Sequence, residues 1–168
     1  FAAYARGMIQ LHFLRHADAG DPEAWTRPDA ERPLSDKGKR QADRLARFLE
    51  TTAFRPDAIL TSPKIRAEQT ARPVAGHLGV ELAIEPRLGA PFDLAMLDAI
   101  LRDAGDPERP VIVGHDPEFS ELAAELTGTP SLSMKKGAFL RIDVDRPLRA
   151  GTGRLAWLVP PDLLKERT

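Results

Sequence analysis

Two histidines and two arginines stand where the chain can deliver them to one place. Arg15-His16 ends the apolar run "MIQLHFLRH". Thr61-Ser62-Pro63 follows the run ending at Leu60, with Arg66 one turn further on, and Gly114-His115 ends the run "PVIVGH". Guanidinium forks match the oxygens of an oxyanion, and a phosphoryl group is the one this set suits best. A histidine flanked by arginines has its protonated form disfavoured by like charge. A neutral imidazole close to phosphorus is a nucleophile, and a second one can hydrogen-bond a phosphoryl oxygen as charge develops there. The residue types alone leave open which histidine takes which part.

The rest of the composition narrows the classes. The chain has 168 residues, enough for one domain with a real core. With 24 basic against 25 acidic residues its formal net charge is −1, which gives no electrostatic case for nucleic acid or an anionic membrane surface. It has no cysteine, which excludes disulfides and thiolate-held metal and leans toward the cytoplasm. No apolar stretch approaches the roughly 20 residues of a membrane span. The chain starts at Phe1, with Met8 just ahead of the first strand. Residues 1–7 therefore read as a leader or tag-like segment, and 8–168 as a single domain.

The elements that must position the cluster follow from local pattern. "MIQLHFLRH" is a strand, and the Asp-, Glu- and Pro-rich stretch 18–33 a surface loop. Ser35 caps a helix through Leu49 with apolar residues at helical spacing. "PDAILTSP" is a second strand. The next helix takes Ser62 as its cap and Pro63 at its first position, stops near Gly79, and should kink or break at Pro73. "VELAIEP" is a weak third strand, and "FDLAMLDAILRDAGD" an amphipathic helix ending at Gly105. Val111–Val113 is a fourth strand, followed by a helix capped by Asp116 and ending at Gly128. "GAFLRIDVD" and "GRLAWLVP" are two strands able to pair as neighbours. Strands alternating with helices predict an α/β, three-layer αβα fold, its mostly parallel sheet covered on both faces. In such sheets ligands bind beyond the carboxyl ends of the strands, where all four residues of the cluster fall.

The segments "LRHADA", "LSDKGKRQA", "LTSPKIRAEQT" and "VIVGHDPEFSELAAELTG", in this order, resemble the histidine phosphatase superfamily with its phosphoglycerate mutase-like fold. Within it they are most similar to the small SixA-type phosphohistidine phosphatases. The likeness runs from about residue 9 to about residue 143. It implies that His16 accepts the phosphoryl group, that Arg15, Arg66 and His115 bind it, and that the reaction needs no metal or cofactor. Ser62 is a further candidate phosphate ligand.

The chain departs from the family pattern at two places. Ala17 stands where the family has glycine, so the backbone there must keep to ordinary φ. No carboxylate matches the proton donor of mutase-like relatives, which leaves Asp18, Glu85 and Asp93 as candidates. An alkoxide leaving group needs such an acid, whereas an imidazole needs less help. Cleavage of phosphohistidine on a protein is therefore the first expectation. A phosphomonoesterase or mutase acting on a small phosphate ester is the second, and a catalytically silent phosphate-binding module the third. The short stretch between Arg66 and His115 leaves little material for a lid. His12 and His77 read as structural, Lys135-Lys136 as a solvated pair, and Trp25 as an ordinary loop aromatic.

Overall fold

The computed structural model describes residues 7–166. The proposed leader therefore lies outside the described residues except for Gly7. Six strands form one sheet: β1 (Met8–Arg15), β2 (Ala58–Thr61), β3 (Leu82–Ile84), β4 (Pro110–Gly114), β5 (Phe139–Asp145) and β6 (Arg154–Val159). Their order across the sheet is β3-β2-β4-β1-β5-β6. The first four of that order run parallel, while β5 lies antiparallel to both β1 and β6. Four helices complete the fold: α1 (Asp36–Glu50), α2 (Ile65–Leu78), α3 (Leu94–Asp103) and α4 (Glu118–Thr127).

Side-chain alternation assigns the two faces. On β1, Ile9, Leu11 and Phe13 enter a core with α3 and α4, where Leu97, Ile100, Phe119, Leu122 and Leu126 pack. Leu14 faces the other way, into a core with Leu45 and Leu49 of α1 and Ala67, Ala71 and Val74 of α2. β4 lies between β2 and β1 and is buried along its whole length, as a strand covered on both faces must be.

Three expectations about the helices are corrected. α2 runs unbroken through Pro73. Ala71, Val74 and Ala75 on either side of the proline are buried in the core, and that packing outweighs one lost backbone hydrogen bond. Ser62 is not the cap of α2. The helix starts at Ile65 behind Lys64, which offers no side-chain cap, and the Ser62 hydroxyl is engaged elsewhere. α4 likewise starts one residue beyond Pro117, although the Asp116 carboxylate still accepts from the Ser120 backbone N–H at 3.0 Å. By contrast Ser35 caps α1 as expected, accepting from Gly38 N–H. Gly38 itself is needed for close approach: a Cβ there would lie 1.9 Å from the Asp18 carbonyl oxygen.

Candidate active site

Strand register brings the four residues to one level. Arg15 pairs with Gly114 across β1 and β4, and Thr61 with Val113 across β2 and β4. One residue further, His16 N–H donates to the Gly114 carbonyl and Ser62 N–H to the Val113 carbonyl, both at 2.9 Å. His16, Ser62 and His115 are thereby fixed to the end of the central strand. Behind them Phe119 packs against Gly114, where a Cβ would meet its ring at 2.9 Å, and stacks on Phe13 at 4.6 Å between centroids. The ring pair gives the site a rigid floor.

A cleft of about 300 Å³ opens there, and Arg15, His16, Arg66 and His115 all line it. The two imidazoles lie 5.2 Å apart between centroids. His16 Nδ1 is 2.8 Å from the Ala17 carbonyl oxygen. A carbonyl only accepts, so Nδ1 carries the proton and Nε2 keeps its lone pair. Ala17 is buried and, unlike Asp106, does not adopt positive φ. Its N–H donates to Thr70 Oγ1 at 3.0 Å, whose hydroxyl donates in turn to the Arg66 carbonyl. The turn carrying His16 is thus bonded to the helix carrying Arg66.

Each guanidinium has a carboxylate behind it. Arg66 donates to the Asp29 backbone carbonyl and to Asp29 Oδ2, both at 2.8 Å. Arg15 donates to the Met134 carbonyl at 2.6 Å and lies 3.3 Å from Asp116. Among the described residues, buried nitrogens without a hydrogen-bond partner include Arg15 Nε, Arg66 Nε and His115 Nδ1.

The model of the histidine phosphatase superfamily (branch 1) matches residues 11–89. Phosphohistidine phosphatase SixA of Escherichia coli K12 is 27% identical over 162 residues, 94% of this chain and 97% of that protein. An uncharacterised protein of Picosynechococcus sp. is 30% identical over 155 residues, 88% of each chain. The solved structure of the protein histidine phosphatase SixA complexed with tungstate aligns with a TM-score of 0.79 at 26% identity, covering 94% of this chain and 100% of that one. The chain belongs to the histidine phosphatase superfamily. Membership makes it a phosphatase on a phosphoglycerate mutase-like scaffold.

In this histidine phosphatase the neutrality of His16 has a different main cause from the flanking arginines. Burial is the largest influence lowering its pKa to about 4, with Arg66, Arg15 and Lys136 adding to it in that order. His115 is lowered to about 3, again chiefly by burial, then by His16, Arg66 and Lys64.

The three candidate proton donors are placed elsewhere, and none lines the cleft. Asp18 accepts from Ser35 Oγ at 2.6 Å, and that bond is the main cause holding its carboxyl below the ordinary range. Glu85 is clamped by Arg87 and lowered by it. Asp93 caps α3, accepting from Met96 N–H. Ser62 is fully buried behind His115, 2.7 Å from its Nε2, and does not line the cleft either.

Sequence reasoning missed five further charged residues of the cleft wall: Arg32, Lys64, Asp116, Glu118 and Lys136. Arg32 is buried, bonded to Asp29 and to the Ala19 carbonyl. Lys136 is half-buried 3.9 Å from Asp18, not solvated like its neighbour Lys135. Asp29, which ties Arg32 and Arg66 together, sits in the loop read only as surface. Three of the missed residues had a local signal: Lys64, Asp116 and Glu118 lie within segments already singled out. Asp29 and Arg32 had none.

Proposed function

We propose that this phosphatase hydrolyses phosphohistidine on protein substrates through a phospho-His16 intermediate, without metal. The observation carrying this reading is the His16 ring itself. Its Nδ1–H is tied to the Ala17 carbonyl and its Nε2 lone pair is free, in a cleft walled by Arg15, Arg66 and His115. Nε2 attacks phosphorus and the substrate's N–P bond breaks; the substrate ring, protonated from solvent on its other nitrogen, keeps the electron pair and leaves as neutral imidazole. Water then attacks phosphorus, the P–Nε2 pair returns to His16, one water proton goes to solvent and phosphate departs.

Arg15 and Arg66 hold the phosphoryl oxygens, their unpartnered Nε–H groups being free to donate. His115 acts as a hydrogen-bond donor. Ser62 Oγ accepts from Lys64 N–H at 3.2 Å, so its own proton is best used toward His115 Nε2. That places the His115 proton on Nδ1, which has no protein partner, and makes it available to a phosphoryl oxygen. Asp18, Glu85 and Asp93 do not line the cleft and each is engaged elsewhere, so none of the three is placed as the acid an alkoxide would need, whereas an imidazole needs less help. The similarity to SixA, named as a phosphohistidine phosphatase, supports the same substrate class.

The deciding experiment compares turnover of a phosphohistidine-bearing protein with a panel of phosphomonoesters, with and without EDTA, and traps the phosphoenzyme. Acid-labile, base-stable label on the wild type and faster turnover of phosphohistidine are expected. Faster turnover of esters would replace this reading with a phosphomonoesterase. No acid-labile phosphoenzyme with any phosphoryl donor would leave a phosphate-binding module.

A further inference from the structure

Among the described residues every cation in the cleft wall except Lys64 has a partner: Arg15 has Asp116, Arg32 and Arg66 share Asp29, and Lys136 faces Asp18. Two carboxylates line the same wall, Asp116 and Glu118. Asp116 is occupied three ways, by Arg15, by the Ser120 backbone N–H and by the Ser120 hydroxyl. Glu118, half-buried on the first turn of α4, makes no side-chain hydrogen bond or ion pair among the described residues. Glu118 thus shares the cleft with the phosphoryl-binding rings and is left open to a group attached to the phosphoryl group.

The chemistry of the proposed substrate says what that carboxylate is for. In neutral phosphohistidine one ring nitrogen bears phosphorus and the other has a lone pair. The ring departs as neutral imidazole only once that second nitrogen is protonated. Phospho-His16 meets the same requirement internally, because its Nδ1–H is held by the Ala17 carbonyl. The substrate ring needs an equivalent acceptor for its N–H, and a carboxylate meets that need with charge as well.

We propose that Glu118 is a specificity residue that accepts the N–H of the substrate imidazole, stabilising the protonated ring that leaves and selecting phosphohistidine over anionic phosphate esters. This rests on the functional reading above. The carboxylate of a phosphoglycerate-like ester would meet Glu118 as like charge.

The test measures kcat/KM from pH 5 to pH 9 for wild type and Glu118→Gln, on a phosphohistidine peptide and on 3-phosphoglycerate. With Glu118→Gln, phosphohistidine turnover at neutral pH should fall about tenfold, the worth of one charge-assisted hydrogen bond. It should recover toward acid pH, where solvent protonates the ring. The 3-phosphoglycerate rate should hold or rise. Equal changes for both substrates, or no change for phosphohistidine, would overturn the assignment while leaving the functional reading intact. A wild type inert toward phosphohistidine that hydrolyses the ester removes both. Because Glu118 makes no side-chain hydrogen bond or ion pair among the described residues, the variant loses only the small helix-end benefit of a first-turn carboxylate, and its melting temperature should lie within a few degrees of the wild type, separating a lost contact from a lost fold.

Discussion

His12 and His16 stand four residues apart on β1 and the turn that follows it, and they share almost everything except their surroundings. Both are buried. Each places Nδ1 within 3.0 Å of a backbone carbonyl, that of Pro110 for His12 and of Ala17 for His16. Burial lowers both to about 4. His12, however, is packed among the rings of Phe54, Phe139 and Trp157, with centroids 4.8 to 5.7 Å away. The cavity it borders is about 670 Å³, larger than the cleft at His16, and lined mainly by apolar side chains such as Phe48, Phe54 and Trp157. His16 instead has two guanidiniums and a second imidazole in its wall. A neutral imidazole with one free nitrogen is therefore what burial on a strand produces by itself. On the proposed function, what separates the nucleophile from a filler is the set of donors around it, and cavity size does not report it.

The most severe way to break this contrast is to exchange the two histidines' importance by mutation. His16→Ala should abolish phosphoenzyme labelling and lower turnover by about 10³-fold or more, as expected when a covalent nucleophile is lost. His12→Leu, similar in volume, should keep kcat/KM within about threefold, consistent with a residue that packs and does no chemistry. Labelling that survives in His16→Ala would give the nucleophile to another residue and dissolve the distinction.

Arg66 separates the two causes acting on His16. Arg66→Ala should lower kcat/KM by about 10²-fold to 10³-fold, the scale of losing a preorganised donor to a charged transition state. Yet the acid limb of the surviving activity should move upward by less than about one pH unit, because burial and not the guanidinium is the main influence on the ring. An acid limb returning to 6.5, the unperturbed histidine value, would make the arginine the dominant cause. Asp29→Asn should weaken activity more mildly, about tenfold, by loosening the clamp that orients Arg66.

Much of this site was legible in the chain, for a physical reason. Arg15, His16, Arg66 and His115 sit at strand ends or in the first turn of a helix, and a parallel sheet gathers such positions on one edge whatever the details of packing. Loop-borne partners carry no such rule. Asp29 reaches Arg66 across 37 residues because of how the loop folds back, and nothing in its neighbours' pattern says so. The three carboxylates chosen as acids illustrate the converse. Asp18, Glu85 and Asp93 were near the cleft in sequence but were claimed by local needs: a helix cap's serine, a neighbouring arginine and a helix N-terminus. Ser62 was read by its position before proline as a cap, whereas its burial beside His115 gave the hydroxyl a stronger partner. Local rules predicted local geometry well and failed where a distant group competed for the same atom.

The smallest effect tests what the two histidines have in common. Because His12 titrates at about 4 in the folded protein and at 6.5 when unfolded, the unfolded chain binds the extra proton between those values. Stability contributed by the neutral ring is fully present above pH 6.5 and is lost as pH falls toward 4, on the order of 3 kcal/mol across that span for one such group. His16 and His115 act in the same direction, with folded values of about 4 and about 3. Asp18, Asp29 and Glu85 are held below the ordinary carboxylate range, so their losses begin only as carboxylates of the unfolded chain protonate, lower down. Urea midpoints followed from pH 7 to pH 5 should therefore decline, and His12→Leu should flatten the decline without removing it. A variant whose midpoint falls as steeply as the wild type would mean that His12 is not titrating as a buried neutral ring. In that case its resemblance to His16 would end at their shared backbone hydrogen bond.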